Sequence, residues 1–461
     1  MRYFFLFVML CLSCTTSQEP ETSNREISAS STIISQVNVI NVRDGSIDEG
    51  RFVVIDSGKI SQILENEPPL PEGVKLINGN GKYLMPGLAE MHAHIPSPPQ
   101  TDAYIEETLF LYLSNGVTTI RGMLGHPVHL ELREKAKNNE ILSPRIYTSS
   151  PSFNGNTVKT PEEARQKVVS SKEAGYDFLK LHPGIQLEVF NEIVEAANEL
   201  DIPFAGHVSV DVGIRRALES EYASIDHVDG FLEGLVPEET DVQPDENGFF
   251  GYNFTKLADT TNIGELVAMS KDRQVWVVPT QSLFDRWFSP ESADALAAAP
   301  EMKYMPRSTL EKWVESKKQL TSVAEYSAEQ WEEFNAIRKA MIHRLHEEGQ
   351  GLLLGSDAPQ VFNVPGFSIH HELSGMLQSG LTTLEAIQIG TVNPALFFDR
   401  EGEFGEVLEG ASADLILLSA NPLESLEAIK NPDGVMVRGF WLSRDDIDSR
   451  LEEIAQNNQE R

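Results

Sequence analysis

Eight short apolar runs, each followed by a stretch of helical character, alternate along residues 84–398 and constrain the fold of this chain more than any other feature. The runs are LAEMHAHI, GVTTIRGM, RIYTSS, DFLKLH, PFAGHVS, SIDHVDG, QVWVVPT and GLLLGSD. Short runs that are apolar almost throughout predict strands buried on both faces, as in a parallel sheet. Eight strand–helix units are the number that closes a TIM-type (β/α)8 barrel, so an α/β barrel is the predicted fold.

Both ends of the chain predict a second, smaller unit. Residues 33–83 and 399–445 contain short strand patterns separated by Gly and Asp-Gly turns, and we expect them to form one accessory β-sandwich domain. Residues 446–461 predict an exposed acidic helix or tail. Two stretches, 231–270 and 284–335, are longer than ordinary connections in a barrel. They are typical of lids or binding loops, but for the stretch after Pro306 we expect a solvated helical insertion instead.

The first residues predict export. Residues 1–14 have an early Arg2 and an apolar run too short to span a bilayer, which is typical of a secretory signal peptide. Leu-Ser-Cys at its end favours a lipoprotein anchored at Cys14, with simple secretion as the alternative, and residues 15–32 predict a polar tether. We therefore expect a bacterial cell-envelope location, either as an outer-membrane lipoprotein or in the periplasm. The chain's other cysteine, Cys11, lies in the same segment, so any metal must be held by His, Asp, Glu or a modified side chain.

Ligand-type side chains stand where several predicted barrel strands end. His92 and His94 alternate within one strand and so point to the same side. His207, His227 and Asp357 end three later strands. Because barrel active sites form at the carboxyl ends of the strands, five such residues in these positions predict a metal site.

Lys180 is the unusual member of this series, because an ammonium group has no lone pair to offer a metal. Addition of carbon dioxide to its amine would give an anionic carbamate, which can bridge two metals. The alternative is an inward lysine paired with a carboxylate. His182 shares the parity of Lys180 on the strand, so register leaves it open as the ligand.

The order and spacing of these residues resemble the amidohydrolase superfamily. The resemblance spans nearly the whole mature chain and includes KYLMPGLAEMHAHI, GLTTLEAIQIGTVNPALFF and GEVLEGASADLILLSANPL. Within that superfamily the chain is most similar to the imidazolonepropionase-related and prolidase-like branch, which contains Xaa-Pro dipeptidases and carboxypeptidases. The motif departs from the branch at Arg121-Gly122, where relatives often have Arg-Asp.

The resemblance implies two divalent metal ions, with zinc as the first expectation and manganese, iron or cobalt left open. It implies that a hydroxide and carboxylated Lys180 bridge the metals, and that Asp357 moves the proton to the leaving group. It also suggests a substrate contact for His370, for which helix capping or packing is the alternative. The implied ligands are His92, His94 and Asp357 for the more buried metal, His207 and His227 for the other, and Lys180 between them.

The predicted function is hydrolysis of an amide or peptide bond in a small substrate, such as a dipeptide or an acyl-amino acid. One alternative is a mononuclear deaminase or an imidazolone-type cyclic amidohydrolase, which usually lacks the lysine on strand four. A second alternative is a catalytically inactive binding protein of the cell envelope. The formal net charge of −33 argues against a nucleic-acid partner, since phosphate backbones are bound by surplus Lys and Arg. We expect membrane contact only through a lipid at Cys14, and the sequence leaves the oligomeric state open.

Overall fold

The structure is a computed structural model that describes residues 26–459 and residue 461. The predicted signal peptide, residues 1–14, and most of the predicted tether therefore lie outside the described residues. The strands are β1 (Thr32–Ile40), β2 (Ile47–Asp56), β3 (Lys59–Leu64), β4 (Lys75–Asn78), β5 (Tyr83–Pro86), β6 (Leu88–Ala93), β7 (Val117–Gly122), β8 (Arg145–Thr148), β9 (Leu179–Leu181), β10 (Phe204–Gly206), β11 (Ser224–Asp226), β12 (Trp276–Val278), β13 (Leu415–Leu418), β14 (Gly434–Val437) and β15 (Phe440–Ser443). The α-helices are α1 (Asp102–Ser114), α2 (Pro127–Lys137), α3 (Pro161–Ala174), α4 (Leu187–Glu199), α5 (Gly213–Glu219), α6 (Ile263–Asp272), α7 (Gln281–Trp287), α8 (Ala293–Ala297), α9 (Arg307–Leu320), α10 (Ala328–Glu348), α11 (Ser368–Gln378), α12 (Thr383–Gly390), α13 (Val392–Phe397) and α14 (Arg444–Gln459).

Strands from the two chain ends pair in one sheet of eight strands, in the order β15-β14-β13-β5-β1-β2-β3, with β4 also pairing to β1. The junction between the two ends is the antiparallel pair β5–β13, in which Met85 lies opposite Ile416. A buried apolar cluster with members on both sides of this junction, such as Ile34 and Leu417, fills one face of the sheet. The pairing thus joins the predicted segments, while their arrangement as a sandwich stays a prediction.

The central strands follow one another in parallel. One sheet has the order β6-β7-β8 and a second has the order β12-β11-β10-β9. Residues 352–358 form the eighth segment, which bridges to β12 on one side and to β6 on the other. The parallel bridges that connect these sheets into a ring join Ser149 to Phe178, Val277 to Leu352, and Ala93 to Ala358. This arrangement fits the predicted TIM-type barrel, and all eight predicted strand positions lie in it.

The central strands other than β8 are buried on both faces, as their near-continuous apolar sequences predict, and helices follow them along the chain. Several of these helices begin where a Ser or Thr hydroxyl accepts a hydrogen bond from a free backbone N–H of the first turn. Thr101 caps α1, Thr160 caps α3, Ser327 caps α10 and Thr382 caps α12. The largest buried cluster lies between the central strands and these helices, which makes the barrel a packed support for the residues at its rim.

The C-terminal helix α14 corrects one expectation. Residues 446–461 were expected to form an exposed helix, but α14 buries Ile447, Leu451 and Ile454 in a second apolar cluster. These residues recur at helical spacing, so they form one apolar stripe on an otherwise acidic helix. The expectation of an exposed helix followed from the acidic composition of this segment and overlooked the apolar stripe.

The two long insertions differ in character. Residues 231–262 form mostly short 3₁₀ turns, while residues 281–348 contain α7 to α10. The expectation of a solvated helical insertion after Pro306 holds for most of α9 but is wrong for α10, which buries Trp331 and Phe334.

Among the described residues, no helix is long and apolar enough to cross a membrane.

Candidate metal centre

Three of the predicted ligands form a compact donor set at the carboxyl ends of β6 and the eighth barrel segment. Nε2 of His94 lies 2.6 Å from Oδ1 of Asp357, and Nε2 of His92 lies 3.2 Å from the same oxygen. The three ligand atoms lie within 4.8 Å of one another. His92 and Asp357 are buried and His94 is partly buried, so the set faces the barrel interior.

The other predicted histidines continue the cluster. The ring of His227 lies 4.6 Å from that of His92, and the ring of His207 lies 4.5 Å from that of His227, between centroids. A second set of donor atoms within 4.8 Å consists of His92, His227 and Asp226. His207 belongs to neither set, although it lies beside His227.

Lys180 lies beneath this cluster in an ion pair. Its Nζ is 2.8 Å from Oδ2 of Asp226, and both side chains are fully buried. Nη2 of Arg121 lies 3.4 Å from the other oxygen of Asp226. The structure thus shows Lys180 in the alternative arrangement, paired with a carboxylate, while its carboxylation stays a prediction.

Asp226 is the important residue that the sequence analysis missed. Side chains alternate along a strand, so the adjacent Asp226 and His227 would normally point to opposite sides. The strand ends at Asp226, however, and His227 and Val228 have positive φ values of 66° and 55°. This unusual turn lets both side chains reach the cluster. The available signal was a carboxylate inside an apolar run, directly before a predicted ligand.

Neighbouring polar groups fix the orientation of the histidines. Oδ2 of Asp229 lies 3.1 Å from Nδ1 of His207, and Oγ1 of Thr280 lies 2.7 Å from Nδ1 of His227. Each contact leaves Nε2 of its ring for another partner, which is the usual arrangement around metal-binding histidines. The guanidinium of Arg338, on α10, donates a hydrogen bond of 2.7 Å to the backbone carbonyl of His227.

The two carboxylates of the cluster are anionic. Burial acts to raise the pKa of Asp357, but His92 and His94 outweigh burial and hold that pKa well below its usual range. Burial likewise acts to raise the pKa of Asp226, and the charge of Lys180 with that of His92 brings it well below its usual range. Anionic carboxylates are the form that binds a metal.

The histidines also fit a cation site. Burial lowers the pKa of His227 well below its usual range, so its imidazole is neutral. Burial also acts to lower the pKa of His92, but Asp226 and Asp357 raise it by more. Nδ1 of His92 is buried and, although it lies 3.3 Å from Asp226, has no hydrogen bond of acceptable geometry. The raised pKa of His92, between two carboxylates, marks a position where a metal ion would compensate the same negative charges.

His370 is not brought to this cluster. Its Nε2 lies 3.0 Å from Oδ1 of Asn115, and the residue lines a small cavity with Leu426 and Lys430. No hydrogen bond, ion pair or ring contact joins it to the predicted ligands within the described part of the chain. Packing, the alternative reading of His370, is what the structure shows, and its substrate contact stays a prediction.

The first insertion covers part of the cluster. The ring of Phe250 lies 5.4 Å from that of His227 and 6.0 Å from that of His207. Phe250 has a positive φ of 50°, and Gly251 after it has a φ of 81°. A cavity of about 860 Å³ opens beside the cluster, and residues next in sequence to His207 line it, but none of the predicted ligands does. The ring of Phe250 therefore covers His227 and His207 on one side.

Comparisons with known proteins identify the family and the fold. The sequence profile described as the amidohydrolase family matches residues 83–442. An adenine deaminase of Mesorhizobium japonicum is 22% identical over 396 residues, which cover 82% of this chain and 52% of that protein. The chain thus spans about half the length of this curated relative.

Solved structures share the fold. A bottromycin amidohydrolase superposes with a TM-score of 0.71 at 20% identity, covering 93% of this chain and 90% of that one. A Xaa-Pro dipeptidase with bound methionine in its active site superposes with a TM-score of 0.62 at 18% identity, covering 90% and 100%. At this identity the likeness extends to the fold alone. The profile match over most of the chain shows that it belongs to the amidohydrolase family, a class of metal-dependent hydrolases.

Proposed function

We propose that this chain hydrolyses an amide or peptide bond of a small substrate, such as a dipeptide or an acyl-amino acid, with the help of bound metal. The observation that carries the proposal is the set of His92, His94 and Asp357, whose donor atoms lie within 4.8 Å of one another. His207 and His227 extend this set on one side. Family membership supports hydrolytic chemistry and leaves the substrate open.

We assign His92, His94 and Asp357 to one divalent ion and His207 and His227 to a second. Zinc suits such a set of imidazole and carboxylate donors. When bound, two ions of this kind polarise a substrate carbonyl and lower the pKa of a water molecule. The protein's own contribution is to hold the imidazoles and carboxylates in place.

Carboxylation of Lys180 is part of the proposal. Its neutral amine would add carbon dioxide to give a carbamate, with release of one proton. For this step Nζ must leave its ion pair with Asp226, which is 2.8 Å away. Arg121 would then keep one positive charge beside that carboxylate. A carbamate signal in ¹³C NMR of protein supplied with ¹³C-bicarbonate, absent in Lys180→Ala, tests the modification.

Asp357 is assigned the proton transfer. Its Oδ1 faces Nε2 of His94 at 2.6 Å and is the oxygen that would bind the metal, which would leave Oδ2 to take a proton from the attacking water. The same oxygen would then pass the proton to the leaving nitrogen. Asp357→Asn keeps the shape of the side chain and removes its basicity, so it should abolish turnover.

A mononuclear deaminase or cyclic amidohydrolase is the second candidate. The observation that favours it is the ion pair of Lys180 with Asp226, because an ammonium group cannot bridge metals. The curated relative from Mesorhizobium japonicum is named an adenine deaminase. In this case one ion would be held by His92, His94 and Asp357.

A substrate panel separates the two candidates. The mature chain, reconstituted with zinc and bicarbonate, is assayed against dipeptides, acyl-amino acids, adenine and imidazolone rings. Turnover of the linear amides, lost in Asp357→Asn, supports the proposal. Turnover of adenine or of a ring amide alone would overturn it in favour of the second candidate.

We also propose that the chain is exported and lipidated at Cys14. This proposal depends on the sequence of residues 1–14, which lie outside the described residues. Labelled palmitate should be incorporated into the full chain and not into Cys14→Ala, and the labelled protein should fractionate with membranes. Recovery of unlabelled protein in the soluble periplasmic fraction would indicate simple secretion instead.

A further inference from the structure

The imidazole ring of His182 lies beside the candidate metal centre, and the proposed function assigns it no role. It follows β9 two residues after Lys180 and is partly buried. Its ring stacks near that of His207, with centroids 5.2 Å apart and planes at 27°. It belongs to neither of the compact donor sets.

The hydrogen bonds behind His182 determine which ring nitrogen carries its proton. Oδ1 of Asn154 accepts hydrogen bonds from the backbone N–H groups of Asn156 and Thr157, at 2.9 and 3.1 Å. The amide nitrogen of Asn154 therefore faces Ser152, and it donates to Oγ of Ser152 at 2.8 Å. Such donors around the carbonyl oxygen fix the orientation of the amide group.

Ser152 connects Asn154 to the imidazole of His182 by hydrogen bonds. Its Oγ lies 2.8 Å from Nδ1 of His182 and already accepts the hydrogen bond from Asn154. Among the described residues its hydroxyl hydrogen has no other acceptor, so we assign the arrangement in which that hydrogen is donated to Nδ1. A neutral imidazole that accepts at Nδ1 carries its proton on Nε2.

In this tautomer Nε2–H of His182 is a hydrogen-bond donor without an acceptor among the described residues, beside the cluster of predicted ligands. No hydrogen bond to Nε2 is formed within the described part of the chain, and the atom is not enclosed. An N–H nitrogen has no free lone pair, so this tautomer does not bind a metal through Nε2. The alternative that sequence register left open, His182 as a ligand in place of Lys180, is therefore disfavoured.

We propose that His182 is a further catalytic residue, which donates its Nε2–H to the oxygen of the scissile carbonyl. This inference rests on the proposed function. As the water oxygen bonds to the carbonyl carbon, an electron pair of the C=O bond moves to the carbonyl oxygen. The hydrogen bond from Nε2–H of His182 stabilises the negative charge on the carbonyl oxygen. The C–N bond then breaks, the carbonyl re-forms and the leaving nitrogen takes the proton from Asp357. A donor fixed in place before the reaction is effective because it need not reorient during the step.

The first test reads the tautomer and needs no substrate. Long-range ¹H–¹⁵N spectra of the reconstituted holoenzyme, labelled with ¹⁵N-histidine, distinguish the two ring nitrogens, and His182→Gln identifies the signal. We expect the proton on Nε2 in the wild type and a mixed population in Ser152→Ala. A proton on Nδ1 in the wild type would overturn the inference.

The second test combines kinetics with metal content. His182→Phe should lower kcat by roughly 10²–10³-fold, the usual effect of removing one such donor, with little change in KM and unchanged metal content. His182→Gln, which carries an N–H near the position of Nε2, should recover at least a tenfold part of the loss. His346→Gln is the matched control, since that ring on α10 lies 3.3 Å from Glu385 and contacts none of the predicted ligands, and the variant should behave as the wild type.

The outcomes separate this inference from the proposed function. Loss of about one metal per chain in His182→Phe would make the residue a ligand and overturn the inference alone. Unchanged kcat in that variant, with an active wild type, would do the same. A wild type that binds metal but turns over no linear amide would overturn the proposed function, and the role of His182 with it.

Discussion

Removal of the Asp229 carboxylate should weaken metal binding without unfolding the barrel. Its Oδ2 lies 3.1 Å from Nδ1 of His207 and 3.1 Å from the backbone nitrogen of Val208. Asp229→Ala frees the His207 ring to rotate and removes the partner that keeps the Nε2 lone pair available. Loss of such a partner typically costs 10–100-fold in metal affinity, which is about 1.4–2.8 kcal/mol. Competition with a chromophoric chelator measures this change for each bound ion.

Asp177 provides a matched control. Its Oδ2 accepts hydrogen bonds from the backbone nitrogen of Thr148 at 2.7 Å and from Arg133 at 3.0 Å. Asp177→Ala therefore removes a similar carboxylate that does not contact a predicted ligand, and it should leave metal affinity unchanged. Asp229→Asn should lie between the wild type and Asp229→Ala, because it retains an acceptor oxygen. Equal affinities in Asp229→Ala and the wild type would refute the assignment of His207 to a metal.

Three further predictions concern residues around the cluster. Arg338→Met removes the 2.7 Å hydrogen bond to the His227 carbonyl, and we expect weaker metal binding and a loss of about 1–3 kcal/mol in unfolding free energy. A metal affinity that is unchanged in competition with a chelator would contradict the role of Arg338 in positioning His227. Burial raises the pKa of Glu372 from 4.5 to about 7, so this group's contribution to wild-type stability falls as the pH rises from 4.5 to 7. Glu372→Gln should lack this loss, and its stability relative to the wild type should rise by up to about 3 kcal/mol between pH 4.5 and 8 in urea unfolding; a pH-independent difference would refute the shift. Phe250→Ala should raise KM for apolar substrates roughly fivefold with metal content unchanged, because contact with an aromatic ring is worth about 1 kcal/mol; an unchanged KM would show that the insertion does not contact substrate.

The sequence was most informative where a short pattern determines position. His92 and His94 share a strand face because side chains alternate, and the structure places both beside Asp357. The order of the eight apolar runs predicted the barrel, because parallel strands joined by helices have few other ways to close. The pairing of both chain ends in one sheet followed from strand patterns on either side of the barrel.

The residues that sequence reasoning missed depend on backbone turns and distant packing. Asp226 reaches the cluster because the chain turns at a positive φ of 66° at His227, and no local propensity predicts that turn. Arg338 reaches His227 from a helix more than one hundred residues later in the chain, so its role follows from tertiary packing alone. His370 was placed near substrate by motif likeness, but the face that a helical residue presents depends on how its helix packs.

The measurement that tests the central claim most directly is the number of metal ions bound per chain. The mature protein is reconstituted with zinc and bicarbonate, dialysed, and analysed by inductively coupled plasma mass spectrometry. About two ions per chain, with the count falling in Lys180→Ala, is the result that the proposed bridged centre predicts. One ion per chain, with the same count in Lys180→Ala, would contradict the bridged centre and favour the mononuclear candidate. No bound ion after reconstitution would contradict the metal centre itself and leave a catalytically inactive binding protein as the better account.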